Sequence, residues 1–229
     1  MIWRHTGGLA LYNARRNPNL EAMVLTKEQN ERFTQVGAGT PMGNLLRRYW
    51  MPFATVGQLD EHPTRAVDLL GEHLIAYKDR AGKYGLMQEF CPHRNVNMLW
   101  GIPEPNGLRC PYHGWLFDQE GNCLEQPAEP PDSTFKDRIK VQTYPVEELG
   151  GMLWAWLGPE PRPMVPRWEA FVKDGVRDIG WAILPCNWLQ VMENSLDPVH
   201  VEWLHQYFAN YVLERLDRPH VDPEFWRQR

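Results

Sequence analysis

The chain has 229 residues, 24 Lys+Arg against 29 Asp+Glu, a formal net charge of −5 and 43% hydrophobic residues. Such a length gives roughly one to two domains with enough chain to bury a core, and the composition excludes wholesale disorder. The acidic balance argues against a phosphate-tracking nucleic-acid surface, and the longest apolar run, 151–158, is far short of the roughly 18–20 residues of a membrane span, so neither nucleic acid nor membrane is an expected partner.

Residues 1–22 carry Arg4, Arg15 and Arg16 with no acid before Glu21, and their apolar patch at 9–12 is too short for a secretory signal. The segment reads as a leader or a mis-called start with Met23 opening the protein, an organelle transit peptide being the alternative. Cysteines occur at 91, 110, 123 and 186, too few for a disulfide-dense secreted scaffold, and read as thiols of a reducing, cytoplasmic compartment. In the N-terminal segment 23–45, residues 37–43 form a loop, and 44–50 then predict a short helix with Asn44 as N-cap. Short runs at 65–70, 73–78, 84–89, 108–110, 115–118, 123–125, 141–146 and 152–157 alternate with turns such as Gly71-Glu72 and 79–82. They predict an antiparallel β-domain over 46–158. Four prolines at 159–166 mark a stiff linker, and 187–216 is helix-like, broken by Pro198. Residues 159–229 are therefore taken as the start of a second domain.

The first chemical constellation is Cys91-Pro92-His93, then sixteen residues, then Cys110-Pro111-Tyr112-His113. Each of two loops between predicted strands offers one thiolate and one imidazole. A Rieske 2Fe-2S cluster, with Cys₂ on one iron and His₂ on the other, needs this set. With two ferric ions, two sulfides and two thiolates the oxidised cluster is neutral, so an added electron meets less negative charge than in an all-cysteine cluster and the potential rises. Structural zinc is the alternative, but the single residue inside Cys91-Pro92-His93 fits zinc spacing poorly. Arg94 reads equally as a charge partner or a solvated side chain, Asn95 as a left-handed turn residue, Trp115 as packing at the cluster base, and Cys123 and Cys186 as buried small hydrophobes.

The second constellation runs from Glu193 to His205 and contains Asp197, His200 and His205. Two histidines and a carboxylate are the ingredients of a facial-triad Fe(II) site. Asp197 and His200, three apart, share a helical face. His200 and His205, five apart, diverge by roughly 140° at about 100° per residue, so both reach one metal only where the helix ends or distorts. Pro198 favours such irregularity.

From about Met23 onward the sequence resembles the α-subunits of Rieske non-heme iron oxygenases, in the phthalate-dioxygenase-like branch. The motifs that carry the likeness are GTPMGNLLRRYWMPF, CPHR, CPYHGW, PAEPPDSTFKDRI and NWLQVMENSLDPVHVEWLH. The resemblance implies an α+β fold, with an antiparallel β Rieske domain followed by the opening part of an α+β, helix-grip-like catalytic domain. It implies a Rieske 2Fe-2S cluster on Cys91, His93, Cys110 and His113, and mononuclear Fe(II) on His200 and His205. Asp197 matches the acid that bridges a neighbouring subunit's cluster to this iron, and Glu193 an acidic or amide position four residues earlier. Asn95 departs from the usual glycine. The family's third iron ligand lies far downstream, and Glu202, Glu214 and Asp217 lack its spacing, so the chain reads as an N-terminal fragment. The implied activity is oxygenation of an aromatic substrate with O2, by hydroxylation or demethylation. The implied partners are a flavin iron–sulfur reductase using NAD(P)H and, at full length, two further copies in a homotrimer. A Rieske electron carrier with no substrate of its own is the rival reading; it leaves Asp197, His200 and His205 unexplained.

Overall fold

The structure, a computed structural model, describes residues 25–222; the leader expected at 1–22 lies outside the described residues. Two compact units divide the described residues: Gln35–Trp181, and a second drawn from 25–34 with 182–222. The fold is α+β, with every strand pair antiparallel.

The first unit holds eleven strands in three sheets. In order they are β1 (Met51–Thr55), β2 (Thr64–Leu69), β3 (Glu72–Lys78), β4 (Tyr84–Gln88), β5 (Ile102–Glu104), β6 (Gly107–Arg109), β7 (Leu116–Phe117), β8 (Cys123–Glu125), β9 (Thr143–Tyr144), β10 (Val146–Leu149) and β11 (Met152–Ala155). The sheets run β1-β11-β10, β2-β3-β4-β9 and β5-β6-β7-β8. Because strand side chains alternate between faces, β3 feeds two cores. Leu74 and Ala76 join Leu59, Leu86, Leu153 and Ala155 on one side, while Ile75 and Tyr77 join Met87, Met98, Leu108, Phe117, Cys91 and Cys110 on the other. The second core is the floor of the cysteine loops.

Local chemistry moves several expected boundaries. The helix foreseen at 44–50 spans Pro41–Leu46 and is capped by Thr40, whose hydroxyl accepts from the Gly43 amide, with Pro41 in the first turn. Thr-Pro is therefore the start signal, and Asn44 lies inside the helix. The β2–β3 hairpin turns on Leu70 and Gly71, both at positive φ, rather than on Gly71-Glu72. Glu72 is thereby drawn into β3, where its carboxylate takes Arg47 Nη2 at 2.6 Å and the Tyr144 hydroxyl.

The proline segment expected as a linker is packed. Val165 is buried with Trp50, Trp154 and Trp156, and the indole N–H groups of Trp50 and Trp156 donate to the carbonyls of Pro163 (2.8 Å) and Pro159 (3.2 Å). The compact unit accordingly runs past residue 158 to Trp181.

The second unit is helical. Lys27–Thr34 meets Trp188–Leu196 through the Trp188 indole N–H, which donates to the Phe33 carbonyl at 3.1 Å. Asn187 caps Trp188–Leu196 by accepting from Leu189 and Gln190. Pro198–His200, a π-helix at Val201–Phe208 and an α-helix at Ala209–Arg215 follow. Among the described residues 182–222 only Gln206 is buried, and Trp203, Leu204, Tyr207, Phe208 and Tyr211 are exposed. Among the described residues no helix is long and apolar enough to cross a membrane.

Candidate metal centres

The two cysteine loops are built on one hydrogen-bond plan. In the first, the Cys91 carbonyl accepts from the Asn95 amide (3.0 Å) and the Cys91 amide donates to the Val96 carbonyl (2.9 Å). In the second, the Cys110 carbonyl accepts from the Gly114 amide (3.1 Å) and the Cys110 amide donates to the Trp115 carbonyl (2.8 Å). The fourth residue after each cysteine is left-handed, Asn95 at φ 52° and Gly114 at φ 75°. Asn is among the few non-glycine residues that adopt this conformation readily, so Asn95 meets the same demand as Gly114.

These loops bring the four sequence candidates together in like pairs. Cys91 and Cys110 are buried in the floor. Burial, with the adjoining Cys110 thiol also opposing ionisation, pushes the Cys91 thiol up to about 11. The His93 and His113 ring centroids are 4.5 Å apart nearer the surface. Trp115, buried in the floor core as expected, also stacks on His93 at 4.6 Å with planes 2° apart. Arg94 is exposed. His93, although exposed, is held below the ordinary imidazole range, first by partial desolvation by its neighbours, then by the charges of His113 and Arg94.

The donor set fits a Rieske cluster. His113 Nδ1 is buried without a hydrogen-bond partner, a cost that a metal bond would remove, and two buried adjacent thiols are the groups a cationic centre would ionise. Among the described residues no three His, Cys, Asp or Glu side chains converge on a single metal ion. A Cys₂/His₂ cluster asks for two protein donors per iron, which is how these pairs are disposed.

Sequence reasoning missed Arg109. From β6 its Nη1 donates to the Gly114 carbonyl at 2.7 Å, while Nε and Nη2 reach Glu104 (2.9 Å) and Glu125 (2.7 Å). Its acceptors come from β5, β8 and the second loop, so no spacing along the chain announces them.

The second candidate site lies on the interrupted helix. Hydrogen bonds in a π-helix run from i to i+5, so Val201–Phe208 converts a five-residue spacing into one turn. The His200 and His205 ring centroids stand 5.3 Å apart. Asp197 Oδ1 caps the new turn by accepting from Val199 (2.8 Å) and His200 (3.4 Å), and its Oδ2 lies 3.7 Å from His200 Nδ1, a buried atom without a hydrogen-bond partner. Glu193 takes Gln190 Nε2 at 3.3 Å on the exposed face of Trp188–Leu196. Glu202, Glu214 and Asp217 are exposed and complete no metal-holding group with the histidines. All four cysteines are free; Cys123 is buried as expected, whereas Cys186 is exposed, in a non-helical stretch, 182–187, whose residues are all exposed.

Residues 49–145 match the Rieske [2Fe-2S] domain family. Over 186 residues the chain is 52% identical to the 5,5'-dehydrodivanillate O-demethylase oxygenase subunit of Sphingobium sp., covering 80% of this chain and 44% of the relative. The chain is similar to phthalate-dioxygenase-like Rieske oxygenase subunits. Its likeness to the phthalate 4,5-dioxygenase oxygenase subunit of Pseudomonas putida is 36% identity over 209 residues, 89% of this chain and 47% of that one. Among solved structures, an oxygenase–ferredoxin complex of carbazole 1,9a-dioxygenase superposes with a TM-score of 0.54 at 28% identity, covering 68% of this chain and 41% of that chain. The chain thus spans about half the length of the curated relatives it matches.

Proposed function

We propose that this chain is the cluster-bearing part of an oxygenase component that hydroxylates or demethylates an aromatic substrate. The observation that carries the reading is the pairing of thiol with thiol and imidazole with imidazole on two loops of identical closure. Cys91 and Cys110 would hold one iron of the cluster, His93 and His113 the other, and His200 with His205 a mononuclear iron. When bound, the cluster supplies one-electron storage and the mononuclear iron supplies dioxygen activation.

The protein's own contribution is orientation. Trp115 covers one face of the His93 ring and limits its rotation, while the His113 ring stands 4.5 Å away in an edge arrangement. Asp197 divides its oxygens between capping the turn that carries His200 and facing the His200 ring nitrogen. An ionised carboxylate there stabilises an Nδ1–H tautomer and leaves Nε2 as the donor, the arrangement commonly met in metal-bound histidines. In an assembled oxygenase the same carboxylate is the bridge to a neighbouring subunit's cluster, in a homotrimer. Electrons come from a flavin iron–sulfur reductase that draws on NAD(P)H. The free cysteines suit a reducing cytoplasm.

Iron per chain tests the reading. About two irons with a Rieske electron paramagnetic resonance spectrum support a cluster alone, the electron-carrier alternative; about three support the oxygenase. Stoichiometric zinc without iron in anaerobic preparations overturns both.

A further inference from the structure

We propose that Arg109 is a positioning residue for the cluster, locking the second loop through the Gly114 carbonyl; the inference rests on the cluster reading above. Gly114 directly follows His113, and its peptide groups are held on both sides. Its amide donates to Cys110 (3.1 Å) and its carbonyl accepts from Arg109 Nη1 (2.7 Å). Its left-handed conformation suits glycine, and an added Cβ would press on Pro127 Cγ at 3.0 Å, with Arg109 Nη1 at ordinary contact distance. The residue next to an imidazole donor is therefore confined by the second cysteine, by Pro127 and by Arg109.

Arg109 itself cannot swing. Its side chain is 20% exposed, and its remaining donors are tied to Glu104 on β5 and Glu125 on β8, the two outer strands of its sheet. A planar fork reaches three acceptors on three elements at once, which a lysine ammonium on a flexible stem does not. The sheet whose inner strand β6 leads straight into Cys110 thus also fixes the far end of the loop. The arrangement holds the His113 backbone in one place while the cluster changes charge.

Arg109→Lys keeps the charge and removes the fork, so it separates positioning from electrostatics. With the whole chain, the expected result is a broadened or shifted spectrum of the reduced cluster. Iron release to a chelator should quicken by about 10-fold or more, if the affinity loss of about 10- to 100-fold typical of lost outer partners appears mainly in the off-rate. Glu125→Ala, which frees one anchor of the fork, should move both readouts the same way, and decides the matter if Arg109→Lys does not fold. Wild-type spectrum and release rate in a folded Arg109→Lys, or in Glu125→Ala where the lysine variant fails to fold, overturn the inference alone. A wild-type chain with no Rieske spectrum overturns the cluster reading and the inference with it.

Discussion

At Asn95 the requirement is conformational. Its φ of 52° costs an ordinary L-residue roughly 1–2 kcal/mol and costs glycine nothing. Asn95→Ala is expected to lower stability by about 1 kcal/mol in denaturant titrations, and Asn95→Gly to leave it unchanged or slightly raised. A smaller loss for alanine than for a β-branched residue would agree with the same cause. At His113 the requirement is electronic: His113→Cys adds a thiolate to the cluster environment and should lower the reduction potential measured by redox titration. An unchanged potential in a loaded variant would remove His113 from the donor set.

Elements were legible where alternation or punctuation is local. The hairpin β2–β3 follows from period-two hydrophobicity, yet its turn moved by one residue because register is set by what the strands bury and bind. That register places Asp68 directly opposite His73, with Nδ1 and Oδ1 2.5 Å apart. The hydrogen bond to Asp68, reinforced by its charge, raises the His73 pKa above the ordinary value of 6.5. A raised histidine pKa adds stability that is fully present below 6.5 and is lost as pH rises through the folded value. The stability gap between wild type and Asp68→Asn should accordingly be larger at pH 5.5 than at pH 9, and a gap that does not vary with pH contradicts the pairing. The clamp at Arg47 could not be read locally. Its guanidinium ties the Val36, Gly43 and Leu70 carbonyls to Glu72, joining segments far apart in sequence. Arg47→Ala leaves those acceptors and a partly buried carboxylate without their donor and should cost about 3 kcal/mol, measurable as a lowered denaturant midpoint.

For the whole molecule, the three hydrophobic cores all lie within Gln35–Trp181. A chain of residues 35–181 is therefore expected to unfold cooperatively in calorimetry and to take up the cluster. Ending it at 158 removes Val165, Phe171 and the Pro163 and Pro159 carbonyls from the three tryptophans, and the lost burial should cost about 3 kcal/mol. Equal stability for the two lengths would restore the linker reading of the proline segment. The helical remainder shows the opposite balance, many exposed aromatics and little core, so stability measured on the full chain should track the first unit.

The amino-acid order by itself determined the chemistry: which thiols and imidazoles exist, that they come in two loop-sized groups between strands, and that His200 and His205 require a distorted helix. Those features depend on neighbours a few residues away, where turn preferences, caps and periodicity act. The like-with-like pairing was expected from the residue set; only the tertiary structure decided that Trp115 lies flat on His93 and that Arg109 closes the second loop with help from two other strands. It also decided that the distortion at Val201–Phe208 is a π-helix rather than a helix end. Each of these rests on contacts across strands or on the way backbone strain is distributed, and side-chain packing fixes them only once the sheets have folded.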